Sequence, residues 1–570
     1  MPYGSPTGSS AKVNKVTGVT ENNLWASDGA GGLKDSGIPS AAVVVQYYDV
    51  CVPGNIGFGV GIMDPDDLPD NVSVMEGTYI LGHDNYGNYQ LDDGSVVVCI
   101  PAFYYKIGTG ANDLAANEID VKAYADYADE TAANAAGYAL HRAFKDGGGT
   151  YRCFLVFKYR ASKLASGTGY IPGSIKNGLP LSTHADHNPI ADLTNVSANA
   201  YYSCIDAAKA IGGVDGEEAA DPQWFTDSRF ITGALAMLSM AHGQRSQSTA
   251  HCAWYHATYN YPKGCNDDAL ADTDDGTVIW LSDGYDNCGK TGSAGAGGGA
   301  GNLFAKSTHN GQNCGVADVN GLMWEVNIGM TCEATDAAIE DISRADPAQI
   351  TITGHGATTG DLVMLTGIDV GDWAALDDKI YAVTVVDPDN FTLDGVDSSG
   401  FSAAYVVGTN AGAITFGTFY AAKEATAMKD FTSGASNATD HWGATGVAAM
   451  MDAFVPAFVT AYPDNGFGQR MGSGGNQVLD EATSGNGYVL AGLGVAKDAD
   501  GLDTTGTNLF GKDYLYQYIR DQLCVLSAGL WANGSTAGVW HSNWLYTRTH
   551  SYGTVGFRCA CYPESAAVAA

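Results

Sequence analysis

Residues 318–326 read DVNGLMWEV and residues 556–560 read GFRCA, and how these two words are joined decides the fold. Trp324 can bury a large apolar area and so anchor a core. Glu325 beside it is a charge that needs a partner, and Arg558 is the candidate for a charge-assisted pair. Trp324, Glu325 and Arg558 are therefore read as structural residues. A third word lies upstream, from Cys204 to His242, where two helices are expected. In Ser203–Ile211, Ile205, Ala208 and Ile211 recur near helical spacing. After Trp224-Phe225, with Thr226 as N-cap, Phe230, Ala234, Met237, Leu238 and Ala241 share one face.

Outward from these words, strands dominate. The runs VVVQYYDVCV (43–52), GSVVVCIPAFYYKIG (94–108) and YRCFLVFKY (151–159) are β-branched and aromatic, and Gly and Asp bound them. Between about 346 and 414 the composition changes. ITITGHGATTGDLVMLTGI, KIYAVTVVDPDNFTLDGVD and FSAAYVVGTNAGAI read as short strands with close turns, a small all-β module inserted into a larger domain. Residues 1–45 are small and polar with no repeating apolar face, and read as an extended arm.

The 570 residues exceed one ordinary core. Apolar residues make up 45% of the chain, enough for two to four domains. Gly at 74 against Pro at 17 favours loop-rich β architecture. The net charge of −35 repels phosphate backbones and anionic lipid, so nucleic acid and membrane surfaces are poor partners. The most apolar stretch, Val447–Tyr462, is broken by Asp452 and Pro456 and is too short to span a bilayer. The opening, MPYGSPTGSSAKVNK, is no signal peptide, so release by cell lysis is expected. The 12 cysteines are read as reduced thiols.

The order of the three words resembles the C-type-lectin-like fold of formylglycine-generating enzymes, phage tail proteins and the variable proteins of diversity-generating retroelements. In that family the middle word usually reads Asn-Val-Trp-Glu-Trp and the last closes the domain as Gly-Phe-Arg. Here Leu322-Met323 before the pair and Val326 after it depart, while Trp324-Glu325 and Gly556-Phe557-Arg558 remain. The segment Glu21–Ile38 resembles N-terminal parts of phage tail fibres. Ala357–Asp361, Val383–Asp387 and Phe391–Asp397 resemble a module widespread in phage tail proteins. The resemblance implies an α+β chain: a virion-attachment arm (1–45), a C-type-lectin-like domain in two parts (46–333 and 415–565), and an inserted β module (334–414). It also implies a homotrimer on the virion, made in the host cytoplasm, with the arm docking other virion proteins.

The expected binding face lies between the anchors. Trp531, Asn533, Trp540, His541, Asn543, Trp544, Tyr546, Arg548, His550 and Tyr552 mix rings with short polar groups, as recognition surfaces do. A bacterial surface glycan or protein is the expected ligand, with no cofactor, no metal and no catalysis. Adenine-directed retroelement mutagenesis readily yields the Ser, Thr, Tyr, His and Asn of 541–552, but not Trp544. The alternatives are a purely structural virion protein, or an oxidase of the formylglycine type. The oxidase needs a reactive Cys pair, and only Cys524, Cys559 and Cys561 lie in the last part of the chain.

Other signals carry less. Gly284–Thr291 matches a P-loop by letter, but GSAGAGGGAG follows where the phosphate-binding helix should start. His242, His251, Cys252, His256 and Cys265 fit no zinc spacing. Asp498, Asp500 and Asp503 read as an acidic turn that could also hold calcium.

Overall fold

Val96–Pro101, Phe103–Ile107 and Cys153–Phe157 form strands, as their composition predicts. The last is buried on both faces. Cys153, Leu155 and Phe157 enter one core while Phe154 and Val156 enter another, which is the period-two alternation of a central strand. In a computed structural model of the protein, residues 23–27, 33–39, 46–256, 263–295, 303–408, 412–434, 446–457 and 468–568 are described. They divide into Met1–Tyr47 and Tyr48–Ala570. The first unit is not wholly an extended arm: Asn23–Ser27 pairs antiparallel with Leu33–Pro39.

The second unit corrects the α+β, C-type-lectin-like expectation. Strand accounts for 29% of the chain and helix for 17%, distributed over several sheets. The two expected helices exist, at Ser203–Lys209 and Arg229–Arg245, but they are set among far more strand than the words around them announced. Met330–Ala338, Ala413–Ala422, Leu523–Ser527 and Ser542–Thr547 are all strands. Two shared words set one local junction, and that junction does not dictate the layers around it. Two smaller readings also change. Thr226 ends the strand Trp224–Thr226, and the helix is capped by Ser228, whose hydroxyl accepts from Ile231 N. Residues 46–52 form a turn at 47–48 and otherwise irregular backbone instead of a strand, because Tyr48 and Cys51 take positive φ.

Two sheets face each other across one core. In the six-stranded sheet, Cys559–Cys561 lies between Trp224–Thr226 and Cys153–Phe157. In the seven-stranded sheet, Trp324–Asn327 lies between Leu523–Ser527 and Val555–Gly556. Trp324, Phe557, Cys559, Leu155 and Leu526 fill the space between. The other face of the six-stranded sheet packs on the helix Arg229–Arg245, buried all round from Arg229 to Gly243. This helix meets the helix Gly485–Leu493 so closely that a Cβ on Gly233 would sit 2.3 Å from the Gly492 carbonyl oxygen.

The expected module has strands at Gln349–Thr351, Leu362–Thr366, Lys379–Asp387 and Asn390–Leu393. It also has its own core, around Ile350, Trp373 and Phe391. The limits at 334 and 414 fall inside strands. Met330–Ala338 and Ala413–Ala422 pair from Met330↔Ala421 to Ala338↔Ala413, so the chain leaves and returns along one antiparallel ribbon.

Candidate functional site

The words that opened the sequence reading meet in the interior. Trp324↔Val555 and Glu325↔Gly556 pair in parallel, which brings Arg558 alongside Glu325. Arg558 Nε donates to Glu325 Oε1 at 2.7 Å, and its other nitrogens donate to the carbonyls of Phe157, Lys158 and Ala317. Arg160 approaches the same carboxylate at 3.4 Å. All three side chains, Glu325, Arg160 and Arg558, are buried at this junction.

The expected binding face is mostly interior, and this is the main correction to the site. Trp531, Trp540, His541, Asn543, Trp544 and Arg548 are buried. Ser542–Thr547 is a central strand between Tyr514–Tyr516 and Leu523–Ser527, and its first three residues are buried. The polar groups that resembled a recognition surface are consumed by internal bonds. His541 Nδ1 donates to Thr536 O at 2.9 Å, and its Nε2 accepts from Trp324 Nε1. Asn543 Oδ1 accepts from Leu545 N, and Trp544 Nε1 donates to Ser542 Oγ. Trp531 packs edge-on against His187 and Tyr285 and Trp540 edge-on against Phe510, while Trp544 lies tilted against Phe419. The Arg548 guanidinium lies over Tyr202 and bonds to Ser433 O. Asn533 is half-buried and accepts from Leu530 N in a turn.

Three of the expected residues do reach the surface together. Tyr546 and His550 are half-buried, and Tyr552 is 42% exposed. Tyr546 lies 5.3 Å from both His550 and Tyr552, and the His550 and Tyr552 rings are parallel within 8°. Burial, and then the Arg520 charge, lower the pKa of His550, which favours a neutral ring.

Beside this ledge is a cleft of about 390 Å³ that sequence reasoning missed. Its floor is a row across three strands: Asp336 pairs with Thr415, and Thr415 with Met364. Thr415 Oγ1 donates to Asp336 Oδ1 at 2.7 Å. The loop 518–522 forms one wall, fastened by Ala334 N donating to Asp521 Oδ1 at 3.1 Å and Gln522 N to Cys332 O at 2.8 Å. The Arg520 guanidinium lies 4.4 Å from the centre of the Tyr518 ring. Thr547 and Thr549 close the rim and join it to the ledge, with Thr547 Oγ1 2.9 Å from His550 Nδ1. Partial burial and the Asp521 charge raise the nearby Glu333 carboxyl. No run of letters announces this cleft, because its residues come from five separate stretches and meet only through strand register.

Residues 284–291 are turns without helix. His242 accepts from Gly54 N and donates to His251 O, as a satisfied core histidine. Asp498 accepts from Gly501 N and Asp503 from Thr505 N. Tyr462-Pro463-Asp464, a distant echo of a calcium-lectin sugar motif, lies outside the described residues. All 12 cysteines are unpaired, and all but Cys51 are buried. No described helix is long and apolar enough to cross a membrane. No protein-family model matches this chain, and no curated protein matches its sequence.

Proposed function

We propose that this protein recognises a polyhydroxylated ligand, a bacterial surface glycan, through the cleft at 518–522 and the adjoining Tyr546–Tyr552 ledge. The observation that supports the reading most is the cleft's donor and acceptor set. A guanidinium, two carboxylates, an amide and four threonine hydroxyls surround a space within the size range of small-ligand pockets. Sugar hydroxyls both donate and accept, so they need such a mixed lining. A sugar ring's apolar face needs an aromatic one, which Tyr552 offers. The work is binding without turnover. The resemblance of Glu21–Ile38 to phage tail fibres, and of the 334–414 module to one widespread in phage tail proteins, supports a place on a phage particle. A homotrimer would multiply a weak single-site affinity through avidity.

The test is binding of the purified chain to a panel of bacterial surface polysaccharides by calorimetry. Arg520→Ala and Tyr552→Ala are each expected to weaken the positive interaction about tenfold or more, as loss of a site contact does. Their melting temperatures should stay near that of the parent chain. Unchanged affinity in both variants would sink the reading.

A further inference from the structure

Two loops and the end of the chain converge on one buried point. His187 sits in the turn between Ser182 and Pro189, which bridge each other. Asp283 and Cys288 are the two ends of the turn DGYDNC, closed by Asp283 N donating to Cys288 O at 3.0 Å. The side chains of His187 and Asp283 are 1% and 0% exposed, and Cys288 is fully buried. One ligand atom from each of the three lies within 4.8 Å of the other two, the one such trio among the described residues. Tyr285 covers the imidazole with its ring 4.0 Å away and nearly parallel.

The hydrogen bonds around the trio orient its ligand atoms. His187 Nδ1 is 2.6 Å from the Gly553 carbonyl oxygen, which can only accept, so Nδ1 carries the proton. In a neutral ring Nε2 then presents a lone pair, and 2.6 Å away stands Asp283 Oδ2, another acceptor. A positive centre joins the two at that distance, either a proton on Nε2, as in an imidazolium–carboxylate pair, or a metal cation in its place. Asp283 is otherwise well held: Oδ1 accepts from Tyr285 N at 2.9 Å and Oδ2 from Asn188 Nδ2 at 3.1 Å. An imidazole fixed through Nδ1–H to a carbonyl, with Nε2 turned inward, is the arrangement that orients histidine ligands of metals. The third donor is a sulfur. Imidazole, carboxylate and thiolate together suit a borderline cation and disfavour calcium or magnesium.

We infer that His187, Asp283 and Cys288 form a site for a divalent cation of the zinc class, clamping the 182–189 and 281–289 loops beneath residue 553. On binding, the cation displaces the Cys288 thiol proton to solvent and takes up lone pairs from Nε2, a carboxylate oxygen and the sulfur. The enclosure makes this a structural centre, with no role in the cleft.

The full chain, stripped with chelator and titrated with Co²⁺, should take up a single equivalent and show a thiolate-to-cobalt charge-transfer band. Cys288→Ser and His187→Ala should lose both the band and the bound equivalent, while Cys51→Ser keeps them. Zinc should raise the melting temperature of the parent chain, and chelator should reverse the rise. The parent chain is also judged alone, by zinc-edge X-ray absorption, so that a misfolded variant cannot decide the matter. A first shell containing sulfur supports the site. A shell of nitrogen and oxygen only, no stoichiometric uptake, or a band that survives in both ligand variants overturns it.

Discussion

Arg558 shows how much a single residue can hold here. Its guanidinium serves one carboxylate and three backbone carbonyls from three separate segments, with no exposure to water. Removing one partner of a buried pair leaves the other charged, desolvated and alone. Arg558→Ala should therefore cost about 3–5 kcal/mol in urea unfolding. Arg558→Lys should recover only part of this, since one ammonium cannot reach all four oxygens. This pair was legible from the sequence because a charge beside a core tryptophan demands an opposite charge. His541 was misread, because burial cannot be seen in a word that mixes rings and polar groups. Its ring is neutral in the fold, with burial lowering its pKa from 6.5 to about 4. The unfolded chain thus takes up the proton first as pH falls. The stability due to the neutral ring is complete above about 6.5 and is lost towards 4, a span worth about 3 kcal/mol at 1.36 kcal/mol per unit. The stability difference between parent and His541→Gln should shrink by about that amount between pH 7 and pH 4. A difference independent of pH would show that the ring is already charged or solvated.

At the scale of elements, Ser542–Thr547 divides the chain's C-terminal aromatics into two roles. Its first three residues are buried between neighbouring strands, and its last three emerge at the ledge. Trp544→Ala should leave a cavity against Phe419 and cost about 3–5 kcal/mol by chemical unfolding. Tyr552→Ala, on an exposed ring, should stay within about 0.5 kcal/mol of the parent. Equal costs would mean that the two residues share one environment. Only the residues of 545–552 other than the buried Arg548 are then placed to vary without repacking a core, which narrows the stretch that retroelement diversification could use. The runs 94–108 and 151–159 were legible as strands because fully buried strands are continuously apolar. Strands such as Met330–Ala338, reading MTCEATDAA, were not, because one half faces solvent and carries no hydrophobic repeat. The cleft was illegible for a related reason: Asp336 and Thr415 are neighbours through pairing across 79 residues, and no local pattern encodes that register.

For the whole molecule, charge sets the terms. With 63 acidic and 28 basic side chains, the surface carries a strong excess of one sign. The ion pairs that count most, Arg558–Glu325 and Lys263–Asp513, are buried, so salt reaches them poorly. The surplus acids are exposed, and their mutual repulsion is highest in the compact state. Chloride should therefore stabilise the fold, by weakening the repulsion more than it weakens the attraction. Raising NaCl from about 0.01 M to about 0.1 M shortens the screening length from about 30 Å to about 10 Å, and the melting temperature should rise across that interval. Chloride is the salt to use, because sulfate would add an effect of its own by strengthening apolar burial. The same screening should leave glycan affinity at the cleft nearly unchanged if the ligand is neutral, since no net charge is then brought to the surface. An affinity that climbs steeply with salt would identify an acidic polysaccharide approaching against the field of the whole chain, held by Arg520 once it arrives.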